Sequence, residues 1–223
     1  MKKIKTLALI SALCLFAFSC KKSELVTSNV ENRQGEQEVK QLKTRGYIAT
    51  NTYLYPSGGY SQILFMGGTN VSFDGQGKVL SGTIANNTYL YPLGGYSQIL
   101  FMGGTVVSFS GGKVPSGTIA NNTYLYPSGG YSQLLFMGGA NVVFDTQGKV
   151  SSASLANNTY LYPSGGYSQI LFMGGRRIIS DGQGKVRTGT LANNTYLYPS
   201  GGFSQILYMG GTEITFDDSG KVL

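Results

Sequence analysis

Asn158, Tyr160, Tyr162, Tyr167 and Gln169 fall close together in the stretch "NNTYLYPSGGYSQILFMGG", which runs from Asn157 to Gly175. Their types suit sugar recognition: a flat ring lies against the apolar face of a pyranose while amides meet its hydroxyls. The same types have a structural use, with tyrosines packed between neighbouring elements and asparagines making turns. Both readings stand at this level. Catalysis is harder to assemble. The chain has no His, which removes Ser–His and Cys–His nucleophiles and the common zinc sites. No repeated pair of acids could divide the acid and base roles of glycoside hydrolysis. Asp74, Asp145, Asp181 and Asp217 recur beside a turn, but Ser110 stands in the equivalent place of one copy. A carboxylate that caps the turn backbone is therefore expected, not a metal ligand. "DGQG" also lacks the alternating acids of a calcium loop. A non-enzymatic protein with no cofactor and no metal is expected.

Charge gives a second candidate site. "RRIISDGQGKVR" holds Arg176, Arg177 and Arg187, all the arginines found after residue 46. Together they could form an anion patch for lipid phosphates or an acidic partner; scattered on an exposed strand they would mean nothing. The net charge of +7 is not a nucleic-acid footprint. Nine of the 17 basic residues precede Gly46, and from there on eight Lys and Arg face six Asp and Glu. That residue of charge is too thin to hold phosphates, so no nucleic-acid partner is expected. Lys78, Lys113, Lys149, Lys185 and Lys221, each in a "GKV" or equivalent place, read as solvated charges that guard sheet edges.

These residues belong to a repeat. Five units cover 46–81, 82–116, 117–152, 153–188 and 189–223, and a fixed period of this length marks an array or a ring. The 33 Gly and 16 Tyr, with few strong helix formers, favour strands and tight turns. Within the first unit "PSGG", "GG" and "DGQG" punctuate the sequence at even spacing, followed by the Asn pair that opens the next. The runs between them, about six residues each, have strand length, so the unit is a four-stranded antiparallel meander. Tyr53 and Tyr55 share one face of their strand and Leu54 takes the other; Val71 and Phe73 share a face opposite Asn70 and Ser72. "YSQILFM" does not alternate and reads as a strand covered on both sides. Val79 and Ile84 are out of phase, and Gly82 between them is expected to be a bulge.

The N-terminus is of another kind. "MKKIKTLALISALCLFAFSC" has a basic start and an apolar run from Leu7 to Phe18, too short to span a bilayer comfortably and of signal-peptide character. "LCLFAFSC" resembles the lipobox of bacterial lipoproteins. That resemblance implies cleavage before Cys20, diacylation of Cys20 and, with Lys21 following, retention in the outer membrane. Ala17 stands where lipoboxes usually carry Leu. The expected organisation is a signal peptide at 1–19, a lipidated Cys and polar tether at 20–45, and the array at 46–223. The tether is too polar to bury a core.

The run "FDGQGKVLSG" at Phe73–Gly82, continued by "T-I-A-N-N-T-Y-L", resembles bacterial MORN-like hairpin repeats. The resemblance implies an all-β, elongated sheet of side-by-side hairpins that serves as a scaffold or interaction surface. The inserted "YPSGGYSQ" and the absence of Trp depart from that pattern. Twenty strands in one such sheet would span on the order of 95 Å. Five units of four short strands also resemble the five-bladed propellers of tachylectin-type lectins, and a parallel β-solenoid is the third architecture. The functional expectation is a lipid-anchored cell-envelope scaffold or adhesin, whose partners are the membrane and an envelope protein or glycan. The alternative is a multivalent, lectin-like glycan binder.

Overall fold

Turns at fixed spacing leave short runs of Tyr, Ile, Val, Phe and Thr, and each run forms a strand. The computed structural model describes residues 44–223; Cys20, the lipobox and all but the end of the tether lie outside the described residues. Twenty strands of three to five residues and no helix occur among the described residues. Every ladder is antiparallel.

The strands of each unit divide between two layers, so the unit is not a simple four-stranded meander in one sheet. In the first unit β2 (Thr52–Leu54) and β3 (Ile63–Phe65) form a hairpin of their own. The same hairpin recurs as β6 (Thr88–Leu90) with β7 (Ile99–Phe101), and as β10 (Thr123–Leu125) with β11 (Leu134–Phe136). The last two are β14 (Thr159–Leu161) with β15 (Ile170–Phe172), and β18 (Thr195–Leu197) with β19 (Ile206–Tyr208).

The remaining ten strands lie side by side across the array. β1 (Thr44–Ile48), β4 (Thr69–Phe73), β5 (Val79–Thr83) and β8 (Val106–Ser108) pair in the order β1-β4-β5-β8. β9 (Ser116–Thr118), β12 (Asn141–Phe144), β13 (Val150–Ser154), β16 (Arg177–Ser180), β17 (Val186–Thr190) and β20 (Glu213–Thr215) continue it as β9-β12-β13-β16-β17-β20. β1 and β20 are the outermost strands, so the array is open and no propeller ring forms. Since ten strands line up and not twenty, the sheet extends over about 45 Å, half the single-sheet expectation.

The one interruption, between β8 and β9, has a local cause. Pro115 stands where other units have Leu80, Ser151 or Arg187, and a proline has no N–H for the ladder. The turn there is a residue shorter. Gly111 and Gly112 have φ of 57° and 78°, the two positive values that a two-residue type I′ hairpin requires. A single bridge, Ser110 to Lys113, closes it.

The bulge expected at Gly82 lies elsewhere. Ser72 pairs with Ser81 but Phe73 with Val79, so Leu80 is the extra residue that brings Val79 and Ile84 to the same buried side. Gly82 keeps regular register with Val107. It is glycine because the Phe65 ring covers it: a Cβ there would sit 2.9 Å from Phe65 Cδ1. "YSQILFM" also differs from expectation. Only Ile63–Phe65 is strand, Tyr60, Ser61 and Gln62 form an exposed loop, and Leu64 is half-buried.

Hairpins and sheet share one core. Phe65, Phe101, Phe136 and Phe172 are fully buried in it beside Ile84, Ile119, Leu155 and Leu191. Backbone bonds fasten each hairpin to the sheet at both ends. Ser57 donates to the Val79 carbonyl (2.8 Å) and Val79 to Tyr55 (2.9 Å), while Met66 donates to Thr83 (2.8 Å) and Ala85 to Leu64 (2.9 Å). The layer that carries the tyrosines is thus rigidly held.

Candidate ligand-binding face

Strand alternation decides where the rings go. In β14 and β15, Thr159 pairs with Phe172, Tyr160 with Leu171 and Leu161 with Ile170. Phe172 and Ile170 face the core, so Tyr160 and Leu171 must face away from it. Tyr162 follows the same alternation. Tyr160 is 60% exposed, Tyr162 45% and Tyr167 94%. Tyrosines packed between neighbouring units are therefore not what the structure contains: in every unit the three equivalent aromatic positions are exposed, with Phe203 closing the third row. The array shows fifteen such rings.

The asparagine has the structural use that sequence left open. Asn158 Oδ1 accepts the Gly174 N–H at 2.7 Å, and Asn51, Asn87, Asn122 and Asn194 do the same for Gly67, Gly103, Gly138 and Gly210. The clamp brings backbone against backbone. A Cβ on Gly174 would stand 2.7 Å from the Asn157 carbonyl carbon, and Gly175 beside it has φ 72°, which is why the dipeptide is Gly-Gly. Asn158 is thus committed through its oxygen. Gln169 is exposed beside the equally exposed Ser168, so the polar company of the rings comes from Ser168 and Gln169.

Tyr167 follows the Pro163–Gly166 turn, in which Gly166 donates to the Pro163 carbonyl at 2.9 Å. Gly165 has φ 68°, as the third position of a type II turn demands. Lys185 Nζ donates to the Gly166 carbonyl at 3.0 Å and lies 5.6 Å from the Tyr167 ring centre. Lys113, Lys149 and Lys221 repeat this over Tyr96, Tyr131 and Phe203. Four of the five lysines read as free edge charges are therefore fixed against aromatic loops, a cation–π arrangement. Sequence reasoning missed it because the partners are nearly twenty residues apart.

The repeated aspartates are turn caps, as expected. Asp74 Oδ1 accepts the N–H groups of Gln76 and Lys78, each at 2.9 Å, and Asp145, Asp181 and Asp217 repeat the pattern. The Ser57 hydroxyl and then the Lys78 N–H hold the Asp74 carboxyl below its ordinary value of 3.8. At Asp145 burial pushes upward, but the Ser128 hydroxyl and the Lys149 and Gln147 N–H groups outweigh it. At Asp217 the Lys221 N–H leads, against burial, in the same downward direction.

The arginines are not brought together. Arg187 contacts Asp218 at 2.9 Å, Arg177 Nε donates to Ser152 Oγ, and Arg176 is exposed. Ile179 pairs with Thr188, which places Arg177 opposite Thr190 and about 10 Å along the strand from Arg187. Arg177 and Arg187 are thus engaged by separate partners, Ser152 and Asp218. The far face of the sheet is of a third character: a shallow depression of about 530 Å³ is lined there by Arg45, Ser72, Leu80, Ser81, Ser108 and Phe109. Among the described residues no group of His, Cys, Asp or Glu could hold a metal. No protein-family model, curated protein or solved structure matches the chain.

Proposed function

We propose that this chain is a lipid-anchored, non-enzymatic envelope protein whose repeat array acts as an adhesive scaffold through its aromatic face. The observation that supports the reading is the exposure of three aromatic positions in each of five equivalent units. Exposed aromatic rings repeated at the same positions of every unit are the kind of surface that serves an interaction. The anchor in this reading is Cys20, at the end of "LCLFAFSC", and outer-membrane retention follows from Lys21. Cys20→Ala is expected to release the protein from the membrane fraction and to abolish fatty-acid labelling; unchanged labelling would remove the anchor from the proposal.

A multivalent glycan binder is the second reading, favoured by the exposed Ser168 and Gln169 beside the rings. Five weak equivalent sites on one rigid body gain strength together, because later contacts form at high effective concentration. Tyr162→Ala in one unit is expected to lower retention on a glycan surface, and the five equivalent changes together to abolish it. Each ring is half-exposed, so one such change moves stability by only about 0.5 kcal/mol. A retained glycan after all five changes, with melting unchanged, would remove the Tyr162 row from the site and leave binding to the other two rows.

A further inference from the structure

We infer that the row of strand tyrosines, Tyr53, Tyr89, Tyr124, Tyr160 and Tyr196, binds a single extended β-1,4-linked polysaccharide chain, one disaccharide to each unit. The inference rests on the glycan reading and names the class of glycan. Each unit contributes two strands to the long sheet, so equivalent residues advance along the array by about two strand separations, close to 10 Å. The five rings are exposed to 60–62%, the mark of one setting repeated. They sit on strands whose ends are bonded to the sheet, and a binding group on such a rigid element loses little on ordering.

A β-1,4-linked chain of hexopyranoses has a matching period. One sugar advances such a chain by roughly one strand separation, and successive sugars turn over by half a revolution. Like faces therefore recur at every second sugar, at the same spacing as the rings. With its hydroxyls equatorial, each sugar presents a flat apolar face of axial C–H groups, the complement of a phenol ring. An α-1,4-linked chain curls, and its faces do not recur along a line.

Sheet twist chooses between one chain and a crystalline face. Neighbouring strands rotate by about 20–25°, so successive units rotate by roughly 40–50°. A planar crystal surface meets one or two rings of such a row, whereas a separate chain can wind with it. Ser and Gln of the "YSQ" loop, exposed in each unit, lie on the same segment to meet the hydroxyls at the chain edge.

The test is calorimetric titration of the full-length protein, in a detergent without a sugar head group, with oligosaccharides of two, four and six residues. Cello- and chito-oligosaccharides form two arms that separate unsubstituted from N-acetylated chains, and malto-oligosaccharides form the third. Affinity in a β-1,4 arm is expected to rise by on the order of 10²-fold from disaccharide to hexasaccharide. Tyr124→Ala, which leaves one pair of rings on either side of a gap, is expected to lose most of that gain and to lower the number of disaccharide sites from about five to about four, while the affinity of the sites that remain and the melting temperature stay in place. Equal binding of maltohexaose, or no gain with length, would overturn this inference and leave glycan binding standing. Retention on crystalline cellulose stronger than on soluble chains would overturn the single-chain geometry. Binding to none of the three series would overturn this inference, and the glycan reading falls with it only if the protein is also not retained on a mixed glycan surface.

Discussion

Three of the four junctions between units are built alike, and the fourth is not. Phe65 meets Phe109 edge-to-face at 6.2 Å between units one and two; Phe101 meets Phe144, and Phe172 meets Phe216, each at 6.4 Å. Between units three and four the buried Phe136 has Ser180 in the partner position. The same junction carries a second change. Ala153 stands where Gly82, Gly117 and Gly189 lie beneath the buried ring. At those three glycines a Cβ would come within 2.9 Å of a phenylalanine carbon, so the methyl of Ala153 needs a ring with room to move. Loss of the partner ring supplies the room. The lesson is that the junction is a volume to be filled, and one sequence fills it in two ways.

The largest effect tests the rings themselves. Phe101→Ala and Phe136→Ala each empty a fully buried site, at about 3–5 kcal/mol. Phe101 also loses its edge-to-face partner, so its cost is expected to exceed that of Phe136 by about 1 kcal/mol. Denaturant unfolding measures the difference, with local hydrogen exchange to resolve units that open separately. Equal costs would mean that the ring pair contributes nothing beyond area.

Next come the small residues beneath. Gly117→Ala, with its Cβ 2.8 Å from Phe101 Cδ1, is expected to cost about 1–3 kcal/mol through overpacking. Ala153→Gly should cost less. Ser180→Phe alone is expected to crowd Phe136 against the Ala153 methyl, while Ser180→Phe with Ala153→Gly recreates the common junction. The two substitutions are therefore expected to couple by about 0.5–3 kcal/mol in a double-mutant cycle. Additivity would show that the two changes merely coincide.

Sequence made part of this readable. The repeat period, the all-β class and the turn role of Asp74 follow from local chemistry: glycine and asparagine spacing, and a carboxylate within reach of N–H groups two and four residues on. Alternation likewise put Tyr53 and Tyr55 on one face. It could not say that this face is solvent, because nothing local to "TYLYP" reveals that the opposite face of the hairpin lies on a second layer. The single-sheet expectation failed for the same reason. Hydrogen-bond partners of β3 are chosen by Thr83 and Ala85, about twenty residues away, and no local pattern encodes that choice. The bulge was misplaced because a glycine is visible in sequence while the extra residue, Leu80, is ordinary. Gly82 answers to a ring above it, which only packing shows.

The smallest expected effect extends the comparison from rings to turns. Units one, three, four and five close their outer turn with a carboxylate, and unit two closes it with Ser110 and the two-glycine turn. Asp74, Asp145 and Asp217 are all held below the ordinary value of 3.8. A lowered folded value means that the charged form is favoured by folding, so its stabilisation is complete above 3.8 and fades as pH falls through the folded values. Lys113 N–H donates to the Ser110 backbone carbonyl, a bond with no ionising partner. Amide resonances of Lys78, Lys149 and Lys221 are therefore expected to titrate below the ordinary value of 3.8, while that of Lys113 stays in place. Because all three carboxylates are partly exposed, screening keeps the stability change small, and the resonances should move before the array melts. If all four resonances instead shift together in one cooperative step, acid acts on the fold as a whole and the carboxylate turns contribute no local stability of their own.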